Sequence, residues 1–186
     1  MNSGEFEKSK ERGILWVFCV MRCFHSVVWI FSLLTHVVDF FSMFIGEHAH
    51  NIDPKKRLAL PSKFRGELGE SVVVTRGLDQ CLFVYPMAAW QELAEKLGTM
   101  PIGESQTRSF VRLMLAGATD TTMDSQGRVI IPDYLREYAG LEKNVVVAGL
   151  FNRLEIWDER KWNGYKEAAE KNTDRIAEEL GKLGVY

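Results

Sequence analysis

Residues 53–61 read Asp53-Pro-Lys-Lys-Arg57-Leu-Ala-Leu-Pro61, and residues 124–132 read Asp124-Ser-Gln-Gly-Arg128-Val-Ile-Ile-Pro132. The two stretches match at a constant offset of 71. The correspondence runs on through Phe64-Arg65 and Leu135-Arg136. Further along, Gly77-Leu-Asp-Gln-Cys-Leu82-Phe-Val84-Tyr85 aligns with Gly149-Leu-Phe-Asn-Arg-Leu154-Glu-Ile156-Trp157, and Trp90 with Trp162. The offset there is 72, so one residue separates the spacing of the two blocks. Self-similarity at a fixed period marks a duplicated structural unit.

Each copy has a physical reading. An Asp-containing turn leads into an apolar triplet, Leu58–Leu60 or Val129–Ile131, which predicts a short strand. Pro61 and Pro132 then open a helical turn, where a missing N–H costs nothing. β-Rich runs follow at Ser71–Thr75 and Val145–Ala148, then a Gly-Leu turn and a second strand, Cys81–Tyr85 or Arg153–Trp157. One such unit of about 40 residues cannot bury a core alone. Two can pair about a pseudo-two-fold axis and share one barrel.

Helical spacing recurs outside the units. Met87, Trp90, Leu93, Ala94 and Leu97 predict a helix over 86–97. Residues 104–116 predict a second, apolar around much of its circumference and therefore expected to be sandwiched, either between the two units or at a subunit contact. Residues 158–183 read as one long charged helix with Trp162, Tyr165, Ile176, Leu180 and Leu183 on one side. The fold class is mainly β with helices, α+β. The expected organisation is an apolar extension over 1–42, a first module over 47–89, connecting helices over 90–117, a second module over 118–161 and a C-terminal helix over 162–186.

The 186 residues are 46% hydrophobic, which excludes a wholly disordered chain. Three cysteines, none in a Cys-x-x-Cys pair, exclude a disulfide scaffold and a four-cysteine zinc site. The net charge of -2 supplies no global attraction to nucleic acid, so any such binding must come from a local cluster. Lys55, Lys56, Arg57, Lys63 and Arg65 make one, with Asp53 beside them. In the second copy only Arg128 and Arg136 hold matching places. Glu47-His48-Ala-His50 places two histidines on one strand face without a third metal ligand at suggestive spacing, so a strand role is favoured and no metal or cofactor is expected. No Gly-rich phosphate loop, nucleophile elbow or His-Glu-x-x-His motif is present, and an enzyme is not expected.

Residues 13–45 differ from the rest. Arg22 and Asp39 are their only charges, and Cys23–Val38 gives sixteen uncharged residues in a row. That run falls short of the roughly 20 residues of a spanning helix unless Gly13–Met21 is included with Arg22. The favoured reading is a start codon placed too far upstream, with Met43 as the true start. The rival is a membrane anchor with Lys8, Lys10 and Arg12 left inside. No small-residue cleavage site follows, which argues against a signal peptide.

The paired Asp-x-x-x-Arg motifs, each running into an apolar triplet and proline, resemble the MraZ family of transcriptional regulators. Each unit is similar to the AbrB-type swapped-hairpin DNA-binding module. The resemblance spans residues 43–186. It implies two AbrB-like modules, a ring-shaped homo-oligomer, and binding to short direct repeats in double-stranded promoter DNA upstream of its own operon. It further implies a cytoplasmic, nucleoid-associated repressor of division and cell-wall genes. In the first motif Lys56 stands where the family usually has glycine; the second keeps Gly127. If that position needs φ > 0, Lys56 costs about 1 kcal/mol relative to glycine.

On this reading Arg57 and Arg128 make base contacts, since arginine can fork onto guanine O6 and N7. Asp53 and Asp124 accept turn N–H groups or hold the guanidinium. Lys55 and Lys56 contact phosphate. Lys63 and Arg65 complete the candidate DNA-binding set, Arg65 and Arg136 leaning towards structural roles. Two rivals remain: an antitoxin-like module acting through protein partners, and a membrane-tethered protein if residues 13–42 are translated.

Overall fold

The computed structural model describes residues 43–184. The apolar extension over 1–42, and with it the choice between an upstream start codon and a membrane anchor, lies outside the described residues.

Among the described residues, eight strands and six helices follow one another as β1 (Phe44–Asn51), β2 (Arg57–Ala59), α1 (Ser62–Leu68), β3 (Ser71–Arg76), β4 (Leu82–Pro86), α2 (Met87–Gly98), α3 (Ser105–Leu115), β5 (Thr119–Thr122), β6 (Arg128–Ile130), α4 (Asp133–Ala139), β7 (Asn144–Phe151), β8 (Arg153–Asp158), α5 (Glu159–Glu170) and α6 (Thr173–Lys182). Local chemistry explains most of these. β-Branched runs build β3 and β7. Pro61, Pro86 and Pro132, at φ near -56°, lead directly into α1, α2 and α4. Gly140, at φ 61°, ends α4 in the left-handed conformation.

Six strands form one antiparallel sheet in the order β1-β7-β8-β4-β3-β5, and β2 pairs with β6 in a second ribbon. The order is a palindrome of the duplication: exchanging β1 with β5, β3 with β7 and β4 with β8 reverses it. The opening strand of each copy therefore pairs with the hairpin of the other. β1 runs antiparallel to β7 from Phe44↔Phe151 to Asn51↔Asn144, and β5 lies on β3 with Val72 opposite Thr121. The two hairpins meet where β4 joins β8, with Phe83 opposite Glu155. This is the swapped, two-fold arrangement expected.

One core serves both copies. Phe44, Leu58, Leu60, Phe64, Val72, Val74 and Val84 of the first copy pack with Val129, Ile131, Leu135, Val147, Leu154 and Ile156 of the second. The β2–β6 ribbon contributes Leu58 and Val129 from its inner face, and a bridge between Ile52 and Leu58 ties it to β1. On the other side of the sheet, Cys81, Phe83, Tyr85 and Trp157 meet Leu97 of α2 and Met114 of α3, with Trp90 and Trp162 packed alongside.

Two helical expectations change. Residues 158–183 are not one helix: α5 ends at Glu170 and α6 restarts at Thr173. The Asn172 side-chain amide donates to the Ala168 carbonyl, and the Thr173 hydroxyl to those of Ala169 and Glu170. Such side chains compete with the helical ladder for its carbonyls. Secondly, of the two settings expected for α3, the one between the two units is not what the chain shows. It buries Met114 while Phe110 stays 38% exposed.

Candidate nucleic-acid interface

The ribbon alternates strictly. Leu58 and Val129 face the core, so Arg57, Ala59, Arg128 and Ile130 share the solvent face. Arg57 lies opposite Ile130, and Arg128 opposite Ala59, which makes the two arginines diagonal neighbours. Leu60 N–H donates to the Gly127 carbonyl, and Ile131 N–H to that of Lys56, each at 2.9 Å. Each turn is thus hydrogen-bonded to the strand leaving the other.

The two turns share the same Asp–Arg contacts, and in the second Asp124 Oδ1 also accepts the Gln126 N–H at 2.9 Å. Asp53 Oδ1 accepts the Arg57 backbone N–H at 3.0 Å, while its Oδ2 accepts Arg57 Nε at 2.8 Å and lies 2.7 Å from Nη2. Asp124 and Arg128 show the same three contacts at 3.0, 2.8 and 2.7 Å. Lys56 N–H closes the first turn onto the Asp53 carbonyl, as Gly127 N–H closes the second onto that of Asp124. Each carboxylate therefore does both jobs expected of it: it shapes the turn and grips one edge of the guanidinium. The Arg57 side chain, then its backbone N–H, hold the Asp53 carboxyl below its ordinary range. The same groups of Arg128 bring Asp124 down to about 2.

The position four residues after each turn aspartate's predecessor differs between copies. Lys56 sits at φ 63° and Gly127 at φ 73°, so the fourth residue of each motif does require the left-handed region. A Cβ at Gly127 would fall 2.2 Å from Arg65 Nε and 2.5 Å from its Cδ. Arg65 thus leaves its own copy and packs across the second turn, its Nε donating to the Leu60 carbonyl at 2.8 Å. Lys55 and Lys56 are exposed beside Arg57. Lys63 is not gathered with them; its ammonium donates to the Ile45 carbonyl, at the opposite end of β1 from the Asp53 turn.

Two residues of this surface carry no signal in the sequence. Ile130, 55% exposed between the arginines, is visible only once the ribbon's register is known. Asp133, on α4, takes Lys56 on one oxygen and Arg136 on the other, which only the fold brings together. Both cations lower the Asp133 carboxyl, Lys56 most. Of the histidines, His48 stacks edge-on against Phe64, and burial, then His48 and Arg65, push His50 down. Among the described residues no cluster of three or more metal-ligating side chains occurs, and no helix is long and apolar enough to cross a membrane.

Two swapped β-modules on one core, each presenting an Asp–Arg turn on a shared ribbon, define a protein of duplicated swapped-hairpin type. A family model described as "MraZ protein, putative antitoxin-like" matches it twice, over residues 43–113 and 114–182. A relative from Halothermothrix orenii, named transcriptional regulator MraZ, is 50% identical over 143 residues, 77% of this chain and 100% of its own. Relatives of the same name from Natranaerobius thermophilus and Acetivibrio thermocellus are 48% and 46% identical, over 74% and 77% of this chain and 96% and 100% of theirs. The chain belongs to the MraZ family.

Proposed function

We propose that the chain is a sequence-specific DNA-binding transcriptional regulator whose reading element is the outer face of the β2–β6 ribbon. The observation that carries this reading is the pair of turns with matching Asp–Arg contacts on one solvent face. The major groove admits a two-stranded ribbon. Diagonal neighbours across an antiparallel pair lie about 7–8 Å apart, about two base steps of about 3.4 Å. Arg57 and Arg128 then reach two nearby guanines. Asp53 and Asp124 hold each guanidinium by one edge and leave the other for O6 and N7. Ile130 suits a thymine methyl between them. Lys55 and Lys56 meet phosphate, which gives the first turn the larger share of the salt-dependent attraction.

The family resemblance and the relatives' name extend the reading. The chain acts in the cytoplasm on the nucleoid, as a repressor of its own division and cell-wall operon, and is not an enzyme. It works as a ring-shaped homo-oligomer on direct repeats, where many weak readers act through effective concentration. Apolar side chains left open on the helical side, Ile102, Phe110 and Ile176, supply surface for contact between copies.

The test is fluorescence anisotropy of the full chain on DNA from immediately upstream of its operon, beside a scrambled duplex and the Arg57→Ala/Arg128→Ala variant, at fixed salt. Tight binding lost with both the scramble and the variant supports the reading. Equal, weak, salt-sensitive binding to both duplexes overturns it and favours the protein-partner alternative.

A further inference from the structure

The two turns agree in their Asp–Arg geometry and differ in what lies beneath them. The offset of 71 pairs Lys56 with Gly127, Ser62 with Asp133 and Arg65 with Arg136. At the second turn, glycine leaves room for Arg65, whose Nε finds the Leu60 carbonyl. At the first turn, the lysine side chain crosses instead to Asp133 of the other copy's helix. Asp133 also draws Arg136 Nη2, and Arg136 Nε is left buried without an acceptor, unlike that of Arg65. The result at one turn only is an anion seated between an ammonium and a guanidinium. Lys56 and Asp133 are about half exposed and Arg136 27%, so a ligand can reach all three.

We propose that Lys56 and Arg136 form a phosphate clamp, occupied in the free protein by the Asp133 carboxylate, and that a DNA backbone phosphate displaces that carboxylate when the first turn docks. Carboxylate and phosphate oxygens accept the same charge-assisted hydrogen bonds from lysine and arginine. Phosphate carries the stronger demand for a cation in a polyanion, and the exchange costs little because an exposed ion pair is weak. Ser62 offers no such carboxylate at the second turn, and Gly127 no ammonium. The clamp therefore gives each chain a polar orientation on DNA that its two matched arginines alone would not. Asp133 acts through Lys56 and Arg136 as a positioning residue. This inference rests on the proposed DNA-binding function.

The experiment measures affinity for the upstream duplex against salt concentration, with the full chain and the variants Lys56→Gly, Asp133→Asn and the two combined. Lys56→Gly suits a left-handed backbone and Asp133→Asn keeps its shape; far-UV circular dichroism checks that both fold. Loss of one phosphate contact in Lys56→Gly lowers the slope of log affinity on log salt by about 0.9. Asp133→Asn frees the clamp and tightens binding about two- to fivefold, a gain that shrinks when Lys56 is absent. Asp133→Asn binding equal to wild type, or a gain that persists undiminished in the combined variant, overturns the clamp and leaves the DNA-binding reading standing. A wild-type chain that binds no duplex overturns both.

Discussion

Lys56 and Gly127 hold one place in two copies of the same turn, where the backbone favours glycine. Both lie in the left-handed region, where a side chain is strained by about 1–2 kcal/mol. Lys56→Gly should therefore raise stability by about 1 kcal/mol. Gly127→Ala should lower it by more than that, since its Cβ also collides with Arg65. Urea unfolding of the two variants checks both signs. The aspartate beside Gly127 adds a pH dependence. Arg128 holds the folded carboxyl of Asp124 at about 2, below its ordinary value of 3.8. The turn's stabilisation is then complete above about pH 4 and is lost as pH falls towards 2. Carboxyl carbon NMR should place the Asp124 midpoint near that lower value; a midpoint near 3.8 contradicts the grip on Arg128.

At the scale of the element, the β2–β6 ribbon separates a core-packing face from the proposed reading face by alternation alone. Leu58 and Val129 are fully buried while Ile130, one residue on, is largely exposed. Leu58→Ala should cost about 2–5 kcal/mol in denaturant unfolding. Ile130→Ser should change stability by no more than about 0.5 kcal/mol yet weaken DNA binding. Much of this was legible in the sequence, because the apolar triplets, the prolines and the Asp–Arg spacing are local signals. The break between α5 and α6 was not. The apolar spacing continues through Lys171 and Asn172, and only the side-chain bonds of Asn172 and Thr173 reveal the interruption. The link from Glu47 on β1 to Trp162 and Lys166 on α5 was equally invisible, joining residues more than a hundred positions apart.

At the scale of the whole molecule, the swap of opening strands makes the two copies one cooperative body. Each copy's opening strand finds its sheet partner only in the other copy, since β1 rests on β7 and β5 on β3. Heating should give a single transition with agreement between calorimetric and van't Hoff enthalpies. Fragments 43–113 and 114–182 should each be unfolded as monomers and regain strand structure by circular dichroism when mixed. Two independent transitions would contradict the shared core. The duplication itself pointed to a shared fold. The placement of Arg65 across the other copy's turn, and of Asp133 beneath Lys56, depends on long-range pairing that no local pattern encodes.

The proposed role of Arg57 and Arg128 is to read guanine edges together. Substituting 7-deazaguanine at the guanines of the bound repeat removes the N7 acceptor and leaves the rest of the duplex intact. Anisotropy should show binding weakened by about 1–3 kcal/mol for each guanine read, with no further loss when Arg57 and Arg128 are already alanine. Undiminished binding of the wild-type chain to the substituted duplex would contradict the claim.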